Sequence, residues 1–414
     1  MTDAGRVGAR PAAVAFILVT VLVDVLAFGI VIPILPKLIE SFWSGNTALA
    51  AETYSAFGTA WALMQFVFSP VLGVLSDRYG RRRVLLISLT GLGLDYILMA
   101  LAPNLWWLFV GRVISGITAA TYSTAAAYIA DVTPPEKRAA SFGYIGAVWG
   151  LGFVAGPALG GLLGAVDIRL PFWIAAALTL ANAAYGWFVV PESLPPERRS
   201  PVRWRRANPF GALALLRGHA GLVRLVVVQV LYTLAHFSLP SVFVLYTGYR
   251  YHWDTRQVGL TLALVGVCTA VVQALIGHAV RAIGERRAVL AGLTAATVAY
   301  LGYGLAPAGW LFLLAIPFGA LSGLYQAAAQ ALMSARVGAG EQGQLQGLNS
   351  SLMGLAGLVG PSLFGFSFAF AIGGAPAGGA QVPGLPFVIA AFLTAAAALI
   401  AVAVARPAPA PAQT

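Results

Sequence analysis

Three charged side chains lie inside apolar stretches long enough to cross a bilayer. Asp24 sits in LVDVLAFGIVIPILP, Asp95 in GLGLDYILMA and Arg112 in VGRVISG. Placing a charge at that depth costs roughly 2.5–3.5 kcal/mol on insertion scales, so such residues default to a functional use. A carboxylate in an apolar cavity can bind and release a proton near neutral pH. The expected chemistry is proton exchange at Asp24 and Asp95, with Arg112 tuning it. The structural alternative is a permanent ion pair between Arg112 and one aspartate. The second half of the chain carries no acid within any span, because Asp254, Glu285 and Glu341 fall at links.

Uncharged polar groups in the spans are candidates to line a cavity for an organic solute: Gln65, Gln229, His236, Gln273, Gln326 and Asn349, with Asn182 and Gln330 beside them. Each has the plainer reading of an interhelical hydrogen bond. An imidazole titrates near neutral pH, which gives His236 a second possible use. Trp61, Tyr96, Trp149 and Tyr325 suit a planar, amphipathic molecule. No cluster of metal ligands or nucleophile–base pair is evident, since the four histidines are dispersed over different segments.

The elements that position these residues follow from composition. The chain is 59% hydrophobic and 9% charged, where a soluble domain carries about 25% charged residues. Twelve spans are expected, at roughly 13–36, 54–75, 84–102, 105–129, 139–164, 171–190, 221–247, 257–280, 288–306, 309–333, 343–370 and 386–405. Each is long enough to cross as a helix at about 1.5 Å per residue. The fold class expected is an all-α membrane protein of two six-helix bundles: residues 1–190, a basic cytoplasmic linker over 191–220, residues 221–405, and a disordered tail over 406–414.

The net charge of +11 does not indicate nucleic acid. Of the 25 Lys and Arg, 20 fall in segments assigned to the cytoplasm, the distribution that sets membrane orientation. Both termini are therefore expected in the cytoplasm. The linker, PESLPPERRSPVRWRRANPFGALALLRGHA, can rest on anionic lipid or stay solvated. The single cysteine, Cys268, rules out an intramolecular disulfide. The first apolar run is read as retained rather than cleaved. No GxxxxGK[ST] loop is present, so no nucleotide cofactor is expected to supply energy.

The link after the second span reads GVLSDRYGRRR, residues 73–83. Its arginines fit a short cytoplasmic loop. Asp77 does not, because an acid near a helix C-terminus opposes the macrodipole by about 0.3–1 kcal/mol. Asp77 should have a partner, either an arginine or the N-terminal end of another helix. Gly73 leaves room for a close helix, and Gly80 suits the tight turn that ends one. The stretch recurs as GHAVRAIGERR, with Gly73 and Gly80 answered by Gly277 and Gly284 at an offset of 204 residues. Gly156-Pro157 recurs as Gly360-Pro361, and Gly143 as Gly347, at the same offset. Two homologous halves place a substrate site at their interface. Arg281 stands where the second copy would carry Asp77. A gate is therefore expected from the first copy: Gly73, Asp77, Arg78, Gly80, Arg81 and Arg82. In the fifth span, GAVWGLGFVAGPALGGLLG, small residues at spacing four (Gly152, Gly156, Gly160, Gly164) allow close helix contact, and Pro157 adds a kink. Pro33 and Pro36 predict a hinge or an end in the first helix.

The stretch 73–83 resembles the signature loop of the major facilitator superfamily, and the fifth span resembles the signature of its proton-driven antiporters. Within that superfamily the first half is most similar to the tetracycline/proton antiporters, through SDRYGRRRVLLISLTGLGLDY, GRVISGITAATYSTAAAYIAD and WGLGFVAGPALGGLLG; VVQALIG, GERRAVLAG and GQLQGLNSSLMG extend it. The resemblance covers most of residues 15–365. It implies a charge lock that closes the cytoplasmic side of an alternating-access carrier. It also implies roles for Asp24 and Asp95 in substrate and proton handling, for Gln65 in drug binding, for Arg112, and for a cytoplasmic charge pair, Asp131 and Arg138. Gly152, Gly156 and Pro157 join the gating set. The sequence departs from the family at Ala296 and Thr269, where the antiporters carry a second-half proton site.

The expectation is a monomeric, proton-coupled exporter of an amphipathic solute, tetracycline-class compounds first, in a bacterial inner membrane, with protons, solute and lipid as partners. The alternatives are a facilitator or proton symporter for a nutrient, and more distantly a receptor; an enzyme is not expected.

Overall fold

The computed structural model describes residues 11–119, 121–199, 215–216, 220–338, 341–373 and 381–404. Among them, twelve helical spans are long and apolar enough to cross a membrane. Most of the linker and the tail lie outside the described residues.

The first span contains two helices, α1 (Pro11–Val31) and α2 (Leu35–Phe42), parted by a turn at 32–34. Proline has no N–H to give the preceding turn, and Pro33 and Pro36 stand at this break. The chain does not end its span there: α2 carries Lys37, one residue past the span expected over 13–36, which pairs with Glu40 at 2.8 Å. The second span is α3 (Thr47–Tyr79), the third α4 (Arg81–Leu101). The fourth divides into α5 (Leu105–Thr118) and α6 (Thr121–Val132). The fifth is α7 (Pro135–Val166), which runs through Pro157, and the sixth α8 (Leu170–Val189).

The second set repeats the pattern. The seventh span breaks into α9 (Ala220–His236) and α10 (Ser238–Tyr251). The eighth and ninth are α11 (Thr255–Ile283) and α12 (Glu285–Leu305). The tenth breaks into α13 (Gly309–Leu321) and α14 (Gly323–Ser334); α15 (Gln342–Gly373) and α16 (Leu385–Val404) complete the set. The offset of 204 seen in sequence is carried by the elements: α4 and α12 begin and end 204 residues apart, and so do the starts of α5 and α13. Gly80 and Gly284 precede α4 and α12 with φ of +106° and +81°, a region almost closed to residues with a Cβ.

Two compact units form. One contains Met1–Gly45, Ala60–Asn208 and Trp253–Gly266; the other contains Asn46–Thr59, Pro209–His252 and Val267–Thr414. Close approach explains the exchanged pieces. Gly161 lies against the Gly259 backbone, and Gly266 against Val154, within the first unit. Gly58 lies against Pro361, and Thr59 Oγ1 meets Ser362 Oγ at 2.8 Å, within the second. Small residues permit this because lipid supplies no hydrophobic drive between helices, so contact and hydrogen bonding hold them.

In the first unit, α1 packs on α7 and α8, and α4 on α8 and α5. The glycine stripe of α7 explains the first contact. A Cβ at Gly152 would strike Val25, one at Gly156 would strike Gly29 and Leu26, and one at Gly160 would strike the Ile30 backbone. The stripe therefore seats the helix that carries Asp24.

Candidate functional site

Asp95 and Arg112 meet in the first unit. Arg112 Nη2 donates to Asp95 Oδ2 at 3.1 Å and approaches Met99 Sδ at 3.4 Å. Asp95 projects from α4 and Arg112 from α5, two neighbouring helices. Both residues are buried, at 1% and 9% exposure. Gly111, beside Arg112, makes the room: a Cβ there would run into Asp95 Oδ1. The pairing weighed as the structural alternative is thus present. It is incomplete, because Asp95 Oδ1 and Arg112 Nε are buried without a hydrogen-bond partner.

Asp24 lies on α1 with Oδ1 equally buried and unpartnered. One turn earlier, Asn182 Nδ2 on α8 donates to the Thr20 carbonyl at 2.8 Å and pins the α1 backbone. Tyr96 follows Asp95 in sequence. Its ring is 1% exposed, its hydroxyl has no partner, and it lies within electrostatic reach of Asp24, Asp95 and Arg112. The sequence offered Tyr96 as a drug-facing aromatic; it packs in the interior beside the carboxylates instead. Buried polar atoms without partners cost about 1–3 kcal/mol each, so a cluster of them calls for an explanation. The arrangement can hold a proton, or accept a donor group, at either carboxylate.

A second constellation lies at the Arg81 end of the first unit. Asp77 has the arginine partner its position demanded: Arg81 Nη1 at 2.5 Å. The same guanidinium donates to Ser76 Oγ at 3.0 Å and to Asp131 Oδ2 at 3.1 Å. Asp131 is therefore paired with Arg81, and the side chain of Arg138 lies outside the described residues. Arg82 donates to the Gly186 and Trp187 carbonyls and stands 5.7 Å over the Trp187 ring, closing the C-terminus of α8. Arg78 and Arg83 are exposed. Among the described residues no atom lies within 4 Å of where a Gly73 Cβ would be, so none of the described helices takes up the room foreseen there.

Two residues of this constellation went unread in the sequence. Glu192 Oε1 accepts from the Arg81 and Leu194 backbone N–H groups at 2.9 and 3.1 Å. Ser193 Oγ donates to Asp131 Oδ2 at 3.2 Å. Their signal was an acid and a hydroxyl directly after the sixth span, in PES, read only as the start of a linker.

In the second unit, Gln229, His236, Gln326 and Asn349 stand on α9, α14 and α15, with Gln273 on α11. Tyr325 Oη donates to Gln229 Oε1 at 2.9 Å, and Gln229 Nε2 donates to Thr233 Oγ1 at 3.1 Å. Tyr232 connects His236 and Tyr325, with ring centroids 6.2 and 4.2 Å away. Asn349 Nδ2 donates to Gln330 Oε1 at 2.7 Å. Gln273, Gln326 and His236 are exposed, and Gln65 in the first unit is half-buried. Among the described residues no group of three or more His, Cys, Asp or Glu could hold a metal ion.

The major facilitator superfamily model matches residues 17–361 and 225–414. The chain is 39% identical over 350 residues to the class C tetracycline resistance protein of Escherichia coli, spanning 84% of this chain and 88% of that protein. It is 39% identical over 339 residues to the class G tetracycline resistance protein of Vibrio anguillarum, spanning 82% and 86%. In fold it is similar to the nucleoside transporter NupG, with TM-score 0.76 at 13% identity over 96% of this chain and all of that one. The human organic anion transporter MFSD10 superposes with TM-score 0.69 at 23% identity, over 94% and 99%. Twelve apolar spans, the repeat and these relatives agree: the chain is an integral membrane protein and secondary drug transporter that belongs to the major facilitator superfamily, in the family of the tetracycline resistance proteins.

Proposed function

We propose that this protein is a proton-coupled antiporter that exports an amphipathic organic solute, tetracycline-class compounds foremost, by alternating access. The observation that carries the reading is the buried Asp95–Arg112 pair, with Asp95 Oδ1 and Asp24 Oδ1 left without partners in the same unit. A proton on Asp95 weakens its hold on Arg112; loss of that proton restores the pair. Solute and proton thus compete for the same carboxylates. In the second unit the exposed His236, Gln273 and Gln326 offer polar surface for the solute; in the first, the half-buried Gln65 does.

The energy source is the proton gradient, with no cofactor and no chemical step. The protein works as a monomer in a bacterial inner membrane, both termini cytoplasmic, with lipid around it. The Arg81 bridge to Asp77 and Asp131 closes the cytoplasmic side, in concert with the glycine-seated α7.

The test is proton release from purified protein in detergent when tetracycline or unrelated amphipathic compounds are added, with Asp24→Asn and Asp95→Asn beside wild type. Release that vanishes in either variant supports exchange and names the carrier. Binding without release in all three proteins overturns antiport in favour of a facilitator.

A further inference from the structure

We propose that Glu192 is a positioning residue of the gate: its carboxylate holds the Gly80–Arg81 turn where Arg81 can bridge Asp77 and Asp131. The proposal rests on the transport reading above.

The first reason is the way α4 begins. A helix start leaves free N–H groups and a positive dipole end, normally met by a local Ser, Thr, Asp or Asn. Here the N-cap residue is Gly80, which has no side chain to offer. The acceptor comes from Glu192, 111 residues away. Gly80 is required for this contact twice over. Its φ of +106° is a glycine conformation, and a Cβ would collide with the Glu192 carboxylate.

The second reason is what Glu192 and Ser193 reach together. Glu192 fixes the Arg81 backbone, while Ser193 Oγ holds the Asp131 carboxylate that receives the Arg81 side chain. The Leu194 N–H bond to the same Glu192 oxygen steadies the carboxylate from its own strand of chain. Tyr128 Oη, on α6, donates to the Pro191 carbonyl at 2.9 Å and ties the segment down from the other side. The ends of α3 and α6, the start of α4 and the segment after α8 thus meet in one network around a single guanidinium.

The third reason is the repeat. Gly284 has the same positive φ at the start of α12, but nothing among the described residues lies within 4 Å of its absent Cβ. There the acid of the first turn is Glu285, local to the helix. Among the described residues, a remote carboxylate meets the copy that carries Asp77 and not the other. The second copy begins its helix with no side-chain cap on Gly284, so a helix start of this kind forms without one.

Two measurements test this on wild type, Glu192→Ala, Glu192→Gln, Arg81→Ala and the Glu192→Ala/Arg81→Ala double variant. The first is amide hydrogen exchange of the purified protein without solute. Glu192→Ala should speed exchange at the start of α4 and also at the ends of α3 and α6, and Glu192→Gln, which keeps an acceptor, should do so far less. Faster exchange confined to the first turn of α4 would overturn the proposal and leave a structural cap. The second is tetracycline uptake by proteoliposomes under an imposed proton gradient. Glu192→Ala should lower the maximal rate about tenfold, as a lost charge-assisted hydrogen bond does, with the half-saturating concentration unchanged. The double variant should be no slower than Arg81→Ala, since the two residues act in one chain of contacts. A Glu192→Ala rate within about twofold of wild type, or losses that multiply, would overturn it. Wild type that carries no tetracycline defeats the substrate assignment alone, and the exchange measurement then decides the gate.

Discussion

Asp95 and Arg112 show what a buried ion pair can and cannot do for a membrane protein. Removing one partner leaves a charge in a poor solvent, at a cost of about 3–5 kcal/mol, whereas replacing both by apolar groups is often neutral or stabilising. Arg112→Ala should therefore lower the melting temperature in detergent clearly. The double variant Asp95→Leu/Arg112→Met should melt at or above wild type and yet release no protons on solute binding. Equal loss of stability in both would make the pair a structural tie. Gly111 belongs to the same argument. Its neighbour is the Asp95 carboxylate, so Gly111→Ala should push that oxygen away from its seat and reduce transport while leaving the melting temperature within a few degrees. Both carboxylates were legible in the sequence because an acid in an apolar run is an anomaly. Asn182 was legible as an interhelical hydrogen bond, which it makes to Thr20. Gly111 and the place of Tyr96 beside the carboxylates were not, because glycine and tyrosine are ordinary in membrane helices until something is seen opposite them.

At the scale of elements, α7 and the two glycine-capped helices carry the consequences. The stripe Gly152–Gly156–Gly160 touches α1 at the depth of Val25 to Ile30, immediately after Asp24. Overpacking a tight contact costs about 1–3 kcal/mol. Gly156→Ala should accordingly melt lower than wild type and, because the strain falls on the Asp24 helix, also reduce solute-driven proton release. Normal release from a folded Gly156→Ala protein would confine the stripe to packing. The repeat offers an internal control. Gly80→Ala and Gly284→Ala both force a side chain into a backbone region that costs about 1–3 kcal/mol. Only the first also strikes Glu192, so Gly80→Ala should lose far more transport than Gly284→Ala at comparable thermal stability. Matching losses would show that backbone conformation, and not the Glu192 contact, is what matters at that turn.

For the whole molecule, the proposed coupling assigns protons to the first unit and solute contacts largely to the exposed polar side chains of the second. The described residues of spans seven to twelve carry no aspartate or glutamate beyond Glu285, in the first turn of α12. Substitutions such as Gln326→Ala or His236→Ala should change the apparent affinity for the solute while leaving the protons released per solute bound unchanged. A changed ratio would mean the second unit takes part in coupling. In everted vesicles, uptake should require an acidic interior and stop when the pH gradient is collapsed at constant membrane voltage. Uptake that persists would favour a facilitator.

Composition, hydrophobic runs and the basic bias of the links determine, from the sequence alone, a membrane protein with twelve spans, because a bilayer core admits only long apolar helices with every backbone group paired. The 204-residue repeat was legible for a similar reason: a positive-φ glycine and a helix-borne proline leave marks at fixed positions. Partnership was not legible. The bridge from Arg81 to Asp131 was not foreseen; Glu192 was read as linker and caps a helix 111 residues away. The breaks at 237 and 322 and the continuation of the first span through α2 were likewise decided in three dimensions. Polarity is a property of a residue, and the sequence reports it. Which buried polar group meets which is a property of the packed helices, since such a group can pair only with a partner that the fold brings within reach.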